Sequence, residues 1–432
     1  MQSEAVPFKH PWKETNLGSV SVIEVGGTPS TAIPAFWSGG DIPWMSSGDV
    51  HQRRIVDVPG RITKLGFQSS NAKLIEPPAV AMALAGQGKT RGTVALTLLQ
   101  VCTNQSVALV KGQDGVLDTS FLFHALDARY EELRARSEGG GRAGLSKAII
   151  EAIPIPLPSL EEQQHITEIL DTVDETIALT TSLIAKLKQI RAGLLHDLLT
   201  RGLDEDGKLR DAIAHPEQFK DSPLGLIPKD WEVDKFEKLA DAIDPQPDHR
   251  APPEVNDGEP YIGVGDFRSN GSIDFNSCRK VSSVAVSKQQ QRFSIEPGDI
   301  IFGKIGTIGL PKFLPQADYR YALNANTILI KPRLCPSFVL WLLQSNLVEK
   351  QIQVETHSTS QPAFGILRIR AMLVPISKPE EQIKIITLLD AHENRIRTEE
   401  AYLDKLKLQK KGLMHDLLTG RVRVNTLQQV SA

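Results

Sequence analysis

Two stretches of the chain repeat apolar residues in alternating steps of four and three. The first runs through Ile166, Leu170, Val173, Ile177, Ile184, Leu187, Leu194 and Leu198, with polar Thr180 and Arg191 at the intervening steps. The second runs through Ile385, Leu389, Ile396, Leu403, Leu406, Leu413 and Leu417, with His392, Glu399 and Lys410 between them. Such stepping over more than four heptads is a coiled-coil seam. Thr180 aligns with Glu399 and Arg191 with Lys410, as expected of two seams that face each other in a shared register. Roughly 40 residues at ~1.5 Å each make either helix a rod of about 60 Å. Its apolar stripe needs a partner, and the other copy is the natural one. Before the first helix, prolines 154, 156 and 158 force an extended backbone. Ser159 and Glu162 then predict a capping box, and Ser377 with Glu380 offers the same device before the second helix.

The helices are one part of a larger duplication. Residues 150–200 align without a gap to 369–419, an offset of 219, with 20 identities in 51 positions. Upstream, Trp12 pairs with Trp231 at the same offset, and Ile75-Glu76-Pro77 pairs with Ile295-Glu296-Pro297 at 220. The remaining upstream sequence has diverged. It reads as short strands between Gly/Pro turns, such as 94–101, 106–110, 298–302 and 326–330, with one good helix in each half, 121–136 and 337–352. The organisation is therefore globular domains at 1–158 and 223–377, long helices at 159–202 and 378–419, a polar connector at 203–222 and a tail at 420–432.

Charge changes this picture little. The chain has 49 Lys and Arg against 52 Asp and Glu, so there is no bulk cationic signature for nucleic acid. The acidity concentrates in 151–206, at −7, which suits a protein-facing surface better than a phosphate-facing one. No apolar run long enough to span a membrane and no signal-peptide pattern is present, so the expectation is a cytoplasmic protein without membrane contact. Cys102, Cys278 and Cys335 match neither a disulfide framework nor a zinc site.

Particular residues carry a family resemblance. Gly26-Gly27-Thr28-Pro29-Ser30, followed by the Trp37 and Trp44 segment, resembles the opening of a target-recognition domain from the DNA-specificity subunit of Type I restriction–modification enzymes. The Glu161-Glu162-Gln163 helix that ends in Leu194 to Gly202, and its copy from Pro375 to Gly420, resemble that family's helical repeat. The second half has no Gly-Gly-Thr-Pro-Ser equivalent. The resemblance implies an α+β chain: two similar, strand-rich mixed α/β target-recognition domains joined by two long helices that pair as an antiparallel coiled coil, with pseudo-twofold internal repetition. It implies double-stranded DNA as ligand, read at two unlike half-sites, because a 60 Å rod exceeds one DNA turn of ~34 Å. It also implies two methyltransferase subunits and translocating nuclease subunits as partners. No cofactor is implied on this chain; the methyl donor and ATP belong to those partners.

Candidate base- or backbone-contacting residues are the polar side chains of exposed loops expected between the strands. In the first half these are Thr28, Ser30, Ser46, Ser47 and Gln68, with Gln87, Lys89, Thr90 and Arg91 on a Gly-rich turn. In the second half they are His249, Arg250, Lys304, Thr307 and Arg320, with Lys304 and Thr307 again among glycines. The turn at 83–90 fails the Walker pattern, since Ala83 stands where glycine is required. Neither Pro-Pro pair sits in an amino-methyltransferase loop. His196-Asp197 and His415-Asp416 are helix neighbours about 100° apart, a poor geometry for a dyad. Gly193 and Gly412 interrupt good helical pattern at matching places, by close backbone approach or by fraying. The competing readings are a coiled-coil adaptor without DNA readout and an enzyme with an unrecognised nuclease or methyltransferase site.

Overall fold

Short apolar runs bounded by glycine and proline become strands buried on both faces. The structure, a computed structural model, describes residues 12–86, 89–136, 144–248, 250–268, 271–356 and 363–424. The chain divides into two units, Met1–Thr181 with Tyr402–Ala432, and Ser182–Ala401. Each unit holds one globular domain, the start of one long helix and the end of the other. Among the described residues no helix is long and apolar enough to cross a membrane.

In the first unit the strands are β1 (Lys13–Asn16), β2 (Ser21–Val25), β3 (Ile42–Met45), β4 (Arg54–Ile55), β5 (Arg61–Ile62), β6 (Ala79–Ala83), β7 (Val94–Thr97), β8 (Cys102–Thr103), β9 (Val107–Gly112) and β10 (Pro154–Leu157). They form a five-stranded sheet in the order β2-β9-β6-β7-β4, a small sheet β5-β3-β8, and the pair β1-β10. The two faces of β6 differ. Val80 and Met82 meet Phe121, Leu122 and Leu126 of the helix Thr119–Asp127, together with Ile166, Leu170 and Leu417 of the long helices. On the opposite face Ala79, Ala81, Ala83 and Ala95 are small enough for Met45, Val50, Ile55 and Val58 to close directly over the sheet.

The second unit opens with the hairpin β11 (Phe219–Ser222) and β12 (Gly225–Pro228). It continues with β13 (Glu232–Lys235), β14 (Ala240–Ile243), β15 (Glu254–Ile262), β16 (Lys280–Val281), β17 (Ile300–Gly303), β18 (Gly309–Phe313), β19 (Ala322–Leu323), β20 (Thr327–Pro332) and β21 (Leu373–Ile376). The sheet orders β14-β20-β17-β18 and β16-β15-β19 and the pair β13-β21 repeat those of the first unit, which adds only β4 to its large sheet. In both units the middle strand of the small sheet has one antiparallel and one parallel neighbour. Asn104 and Asn324 make the same turn, each side-chain oxygen accepting the N–H two residues on, from Ser106 and Asn326. The diverged sequences thus keep one topology.

The long helices are Leu160–Thr200 and Pro379–Leu418. In the first unit, Asp174 on the first helix meets Lys410 on the second at 2.5 Å. In the second unit, Arg191 meets Glu393 at 3.0 Å and Lys188 meets Glu400 at 2.6 Å. Within either unit the numbers rise on one helix as they fall on the other, so the helices pair antiparallel. The offset of 219 carries Arg191–Glu393 onto Lys410–Asp174, so each polar seam cation meets a carboxylate from an equivalent position. Of the seam residues, Ile166, Leu170, Ile184, Leu198, Ile385, Leu389, Ile396, Leu406 and Leu417 are buried, and Val173, Ile177, Leu187, Leu194, Leu403 and Leu413 are half-buried. Leu195, Leu199 and Leu418 widen the buried stripe near the helix ends.

Glu162 and Glu381, equivalent at that offset, fasten each domain to the helices. Glu162 is fully buried and accepts from the Trp12 indole at 3.1 Å and from two nitrogens of Arg423 at 2.5 and 2.8 Å. Glu381 accepts from the Trp231 indole at 2.8 Å, from Arg210 at 2.6 Å and from the Leu203 N–H at 2.7 Å. Gly202 and Gly420, each at the end of a long helix with φ of 64° and 71°, lie under these tryptophans. A Cβ at Gly202 would stand 2.2 Å from Glu381 Oε1, and one at Gly420 would touch the Trp12 ring at 3.3 Å. Next to the glutamates, Gln163 donates to the Val116 and Pro158 carbonyls and accepts from Asp118, while Gln382 donates to the Ser377 carbonyl. One short helix of each domain, Thr119–Asp127 and Pro336–Leu343, adds one more bond. His124 meets Asp171 at 2.6 Å, and Trp341 donates to the equivalent Asp390 at 2.8 Å.

Several expectations are corrected. Ser159 caps the Glu162 N–H at 3.3 Å, but the Glu162 carboxylate is drawn to Trp12 and Arg423, so the capping box is half made. Ser377 makes no cap; its hydroxyl is buried without a hydrogen bond among the described residues, and the helix starts at Pro379. The helix at 121–136 is two, Thr119–Asp127 and Tyr130–Arg136, and that at 337–352 is also two, Pro336–Leu343 and Asn346–Thr356. At the second break the Ser345 hydroxyl takes the Leu342 carbonyl, and the Ser345 carbonyl starts the next helix. The strand expected at 94–101 ends at Thr97, whose hydroxyl turns to the Leu99 carbonyl. Other short helices, including Ser283–Gln290, fall outside the one-per-half expectation. The polar connector 203–222 packs against its own unit: Leu203 is buried, Arg210 reaches Glu381, and the hairpin begins at its end. A Cβ at Gly193 or Gly412 would meet nothing within 4 Å, which removes close approach within the chain.

Lys410 and Asp174 have side chains 11% and 13% exposed and are each other's nearest charge, with Asp127 at 3.8 Å from Lys410 and Arg53 at 3.4 Å from Asp174 completing the network. Asp174→Ala should lower stability by about 3 kcal/mol, the low end for an interrupted buried pair. The paired change Asp174→Leu with Lys410→Met should recover most of that loss. Chemical denaturation of the three proteins checks both.

Candidate nucleic-acid interface

The polar residues proposed for the first domain fall into two groups. Thr28 and Ser30 lie exposed on the loop between β2 and β3, with the Thr28 hydroxyl donating to Gln105 at 2.6 Å. That loop is built on its glycines: a Cβ at Gly26 would stand 2.0 Å from the Thr103 carbonyl, and one at Gly27 would run into Asn71. The Trp37 and Trp44 indoles donate to the Ser30 and Gly27 carbonyls, and their rings meet edge to face at 5.1 Å. The tryptophans therefore brace the loop from below. Gln68, exposed, ends the helix Lys64–Gln68 close by.

The second group sits around the hairpin that joins β6 and β7. Lys89 is exposed, Thr90 and Arg91 are half-buried, and Gln87 lies outside the described residues. His51 meets the Thr90 hydroxyl at 3.1 Å and so ties this hairpin to the turn at 46–52. In that turn Ser46 is engaged locally, its N–H and hydroxyl both bonded to Asp49, and Ser47 is half-buried. His51 and Gln105 were not among the sequence candidates; neither stands in a glycine-rich or motif-like context.

In the second domain the equivalent hairpin joins β17 and β18 and leaves Thr307 exposed. Lys304 is corrected as a DNA contact: it is 5% exposed, and its ammonium is held by Asp244 at 3.1 Å. It belongs to the end of β17, where the domain core excludes solvent. Arg320 is exposed yet tethered, to the Ser287 hydroxyl at 2.7 Å and to Glu259 at 3.5 Å. Arg250 is exposed beside a cleft, and His249 lies outside the described residues. Thus the structure gathers two loops in the first domain and disperses the second-domain candidates.

Other chemistry-bearing groups are used internally. Neither His–Asp helix pair forms a dyad; Asp197 faces Arg201 at 3.8 Å and Asp416 faces Arg421 at 3.5 Å. Cys102 is buried under the first-domain loop with its thiol toward the Pro43 carbonyl, and burial pushes its pKa up to about 12.

The family described as Type I restriction modification DNA specificity domain matches residues 9–189 and again 228–408. The chain is 26% identical over 367 residues to the MjaVIII Type I restriction enzyme specificity subunit of Methanocaldococcus jannaschii, covering 80% of this chain and 79% of that one. It is 25% identical over 347 residues to the EcoBI specificity subunit of Escherichia coli, 76% of this chain and 66% of that one. In fold it is similar to the crystal structure of a Type I restriction–modification S subunit from M. genitalium. That match has a TM-score of 0.57 at 16% identity and covers 95% of this chain and 97% of the other.

Lys304→Ala should cost on the order of 2 kcal/mol, because Asp244 loses its cation in a largely buried setting. Lys89→Ala should leave the unfolding midpoint in place and flatten the salt dependence of DNA binding by about 0.9 in slope. Denaturation and a binding series in salt separate the two. An unfolded thiol ionises near about 8.5, whereas folded Cys102 keeps its proton to about 12. Its contribution to stability is therefore full below about 8.5 and falls as pH rises toward the folded value. At pH 8 iodoacetamide should leave Cys102 unlabelled until denaturant is added, as peptide mass mapping would record.

Proposed function

The chain belongs to the Type I restriction modification DNA specificity family, as a subunit with two target-recognition domains, and on this premise we propose that each domain reads one part of a split, asymmetric DNA target. The observation that carries the reading is that two domains of one strand order present different side chains at equivalent loops. Gly-Gly-Thr-Pro-Ser and Trp37 occupy the β2–β3 loop, with Trp44 on β3 beside them, while a proline-rich segment with Arg250 occupies the β14–β15 loop. Equal scaffolds with unlike loops suit unlike half-sites.

The two long helices then act as the spacer. Their 41 and 40 residues, unbroken, amount to roughly 60 Å each, beyond one duplex turn of ~34 Å. The base pairs between the half-sites go unread. Catalysis is left to partners: methyltransferase subunits that dock on this chain and carry the methyl donor, and nuclease subunits that use ATP. The specificity subunit supplies register and address.

Hydroxyl-radical footprinting of the chain, assembled with its methyltransferase partner, on a duplex bearing the target tests this directly. The target comes from mapping methylated bases in the host genome. Two protected patches of different sequence, separated by an unprotected gap, are expected. One contiguous patch, or equal affinity for every duplex, would overturn the proposal.

A further inference from the structure

The β14–β15 loop and the helix Ser283–Gln290 enclose a cleft of about 710 Å³ in the second domain. Three cations line it. Arg250 and Arg292 are exposed, and the Lys288 side chain is 75% exposed. Among the described lining residues a single carboxylate, Asp248, answers them, bridging to Lys288 at 3.4 Å. A second nearby carboxylate, Asp244, is already neutralised by the buried ammonium of Lys304 at 3.1 Å. Its other oxygen accepts the Gln246 N–H. Arg292 also donates to the Asp244 carbonyl at 3.5 Å, a contact that leaves its charge unneutralised, so the described lining of the cleft carries an excess of positive charge.

The amides that could read a base edge are engaged elsewhere. Gln289 is buried; it donates to the Pro245 and Leu323 carbonyls and accepts the Leu323 N–H. Gln246 donates to the Arg250 carbonyl. Four prolines, 245, 247, 252 and 253, stiffen the opposite wall and offer no N–H. What the cleft presents to solvent is positive charge with its amide donors already committed, a set suited to phosphate contact. A guanidinium or ammonium can also read guanine, and a comparison of target with scrambled duplex decides between them.

Among the described residues of the first domain, the equivalent place is closed. There the topologically equivalent loop, 26–41, is seated on the start of the helix Lys64–Gln68. The Thr63 N–H bonds the Phe36 carbonyl at 2.9 Å, and the Thr63 hydroxyl bonds the Ala35 carbonyl at 2.8 Å. A Cβ at Gly66 would come within 2.6 Å of that same Phe36 carbonyl. The loop is shut against the helix.

We infer that the second-domain cleft is a phosphodiester-binding track that grips the DNA backbone without reading sequence, through Arg250, Lys288 and Arg292, and that the first domain has no counterpart. This rests on the DNA-reading role proposed above and deepens it: the two halves hold DNA by different means.

The test uses the full chain assembled with its methyltransferase partner, comparing wild type with the double variant Lys288→Gln, Arg292→Gln. Affinity is measured over a salt series for a duplex carrying the mapped target and for a scrambled duplex. The slope of log K against log salt should flatten by about 1.8, close to 0.9 for each lost phosphate contact. It should do so equally on both duplexes, with the unfolding midpoint and the ratio of target to scrambled affinity unchanged. An unchanged slope would overturn the inference. So would a loss confined to the target duplex, which would make the cleft a base reader. Wild type binding both duplexes alike would instead overturn the proposed function, while the slope comparison on scrambled DNA would still decide the role of the cleft.

Discussion

A carboxylate sealed away from water at the start of each long helix is the constraint on which the rest of the molecule hangs. An ionised group in such a place is tolerable only if cations and hydrogen-bond donors surround it. Glu162 has Trp12 and Arg423; Glu381 has Trp231, Arg210 and the Leu203 N–H. In each unit the tryptophan comes from the first strand region of the domain, the glutamate from the beginning of one long helix, and the arginine from just beyond the end of the other. Three chain segments far apart in sequence are thereby joined at one point. The left-handed glycines 202 and 420 complete the device, since any side chain there would occupy space the tryptophan already fills.

This explains why the Glu-Glu-Gln segment is identical in both copies of the repeat. Read by itself it looks like a helix start with a capping box, and the helix does start there. Yet the second glutamate and the glutamine serve the domain rather than the helix, the one holding tryptophan and arginine, the other satisfying backbone groups of the preceding loop and strand. A local motif and a long-range contact use the same residues, and only the local half can be seen in the sequence. The same holds for Lys410 and Arg191. The heptad pattern marks them as polar steps, but their acidic partners are found only once the helices lie antiparallel.

The long helices, the seam and the duplication were legible because they rest on periodicity and on repetition of the chain itself. The domains were less so. Their strands are two to nine residues long, too short for a period to declare itself, and the equivalence of the two sheets survives in topology after almost all identity is gone. Breaks at Ala128–Arg129 and at Ser345 depend on a single side chain or carbonyl choosing a different partner. Loop residues were the hardest. Lys89 and Lys304 occupy similar glycine-rich settings, but one lies exposed and the other ends in the core beside Asp244. Lys288 and Arg292 lie on and just past an ordinary short helix, where no motif draws the eye. Duplication followed by divergence keeps what holds each unit together and leaves the loops open to change, which is what a protein built to discriminate between DNA sequences requires.

The most direct test of the carboxylate clamp is a double-mutant cycle on Glu381 and Arg210, each changed to alanine alone and together, followed by chemical unfolding of the full chain. If the buried carboxylate is what joins domain to helices, the two residues should be coupled by about 2–3 kcal/mol, the upper range for partners in one ion-pair network. Strictly additive losses, with coupling below about 0.5 kcal/mol, would contradict the account.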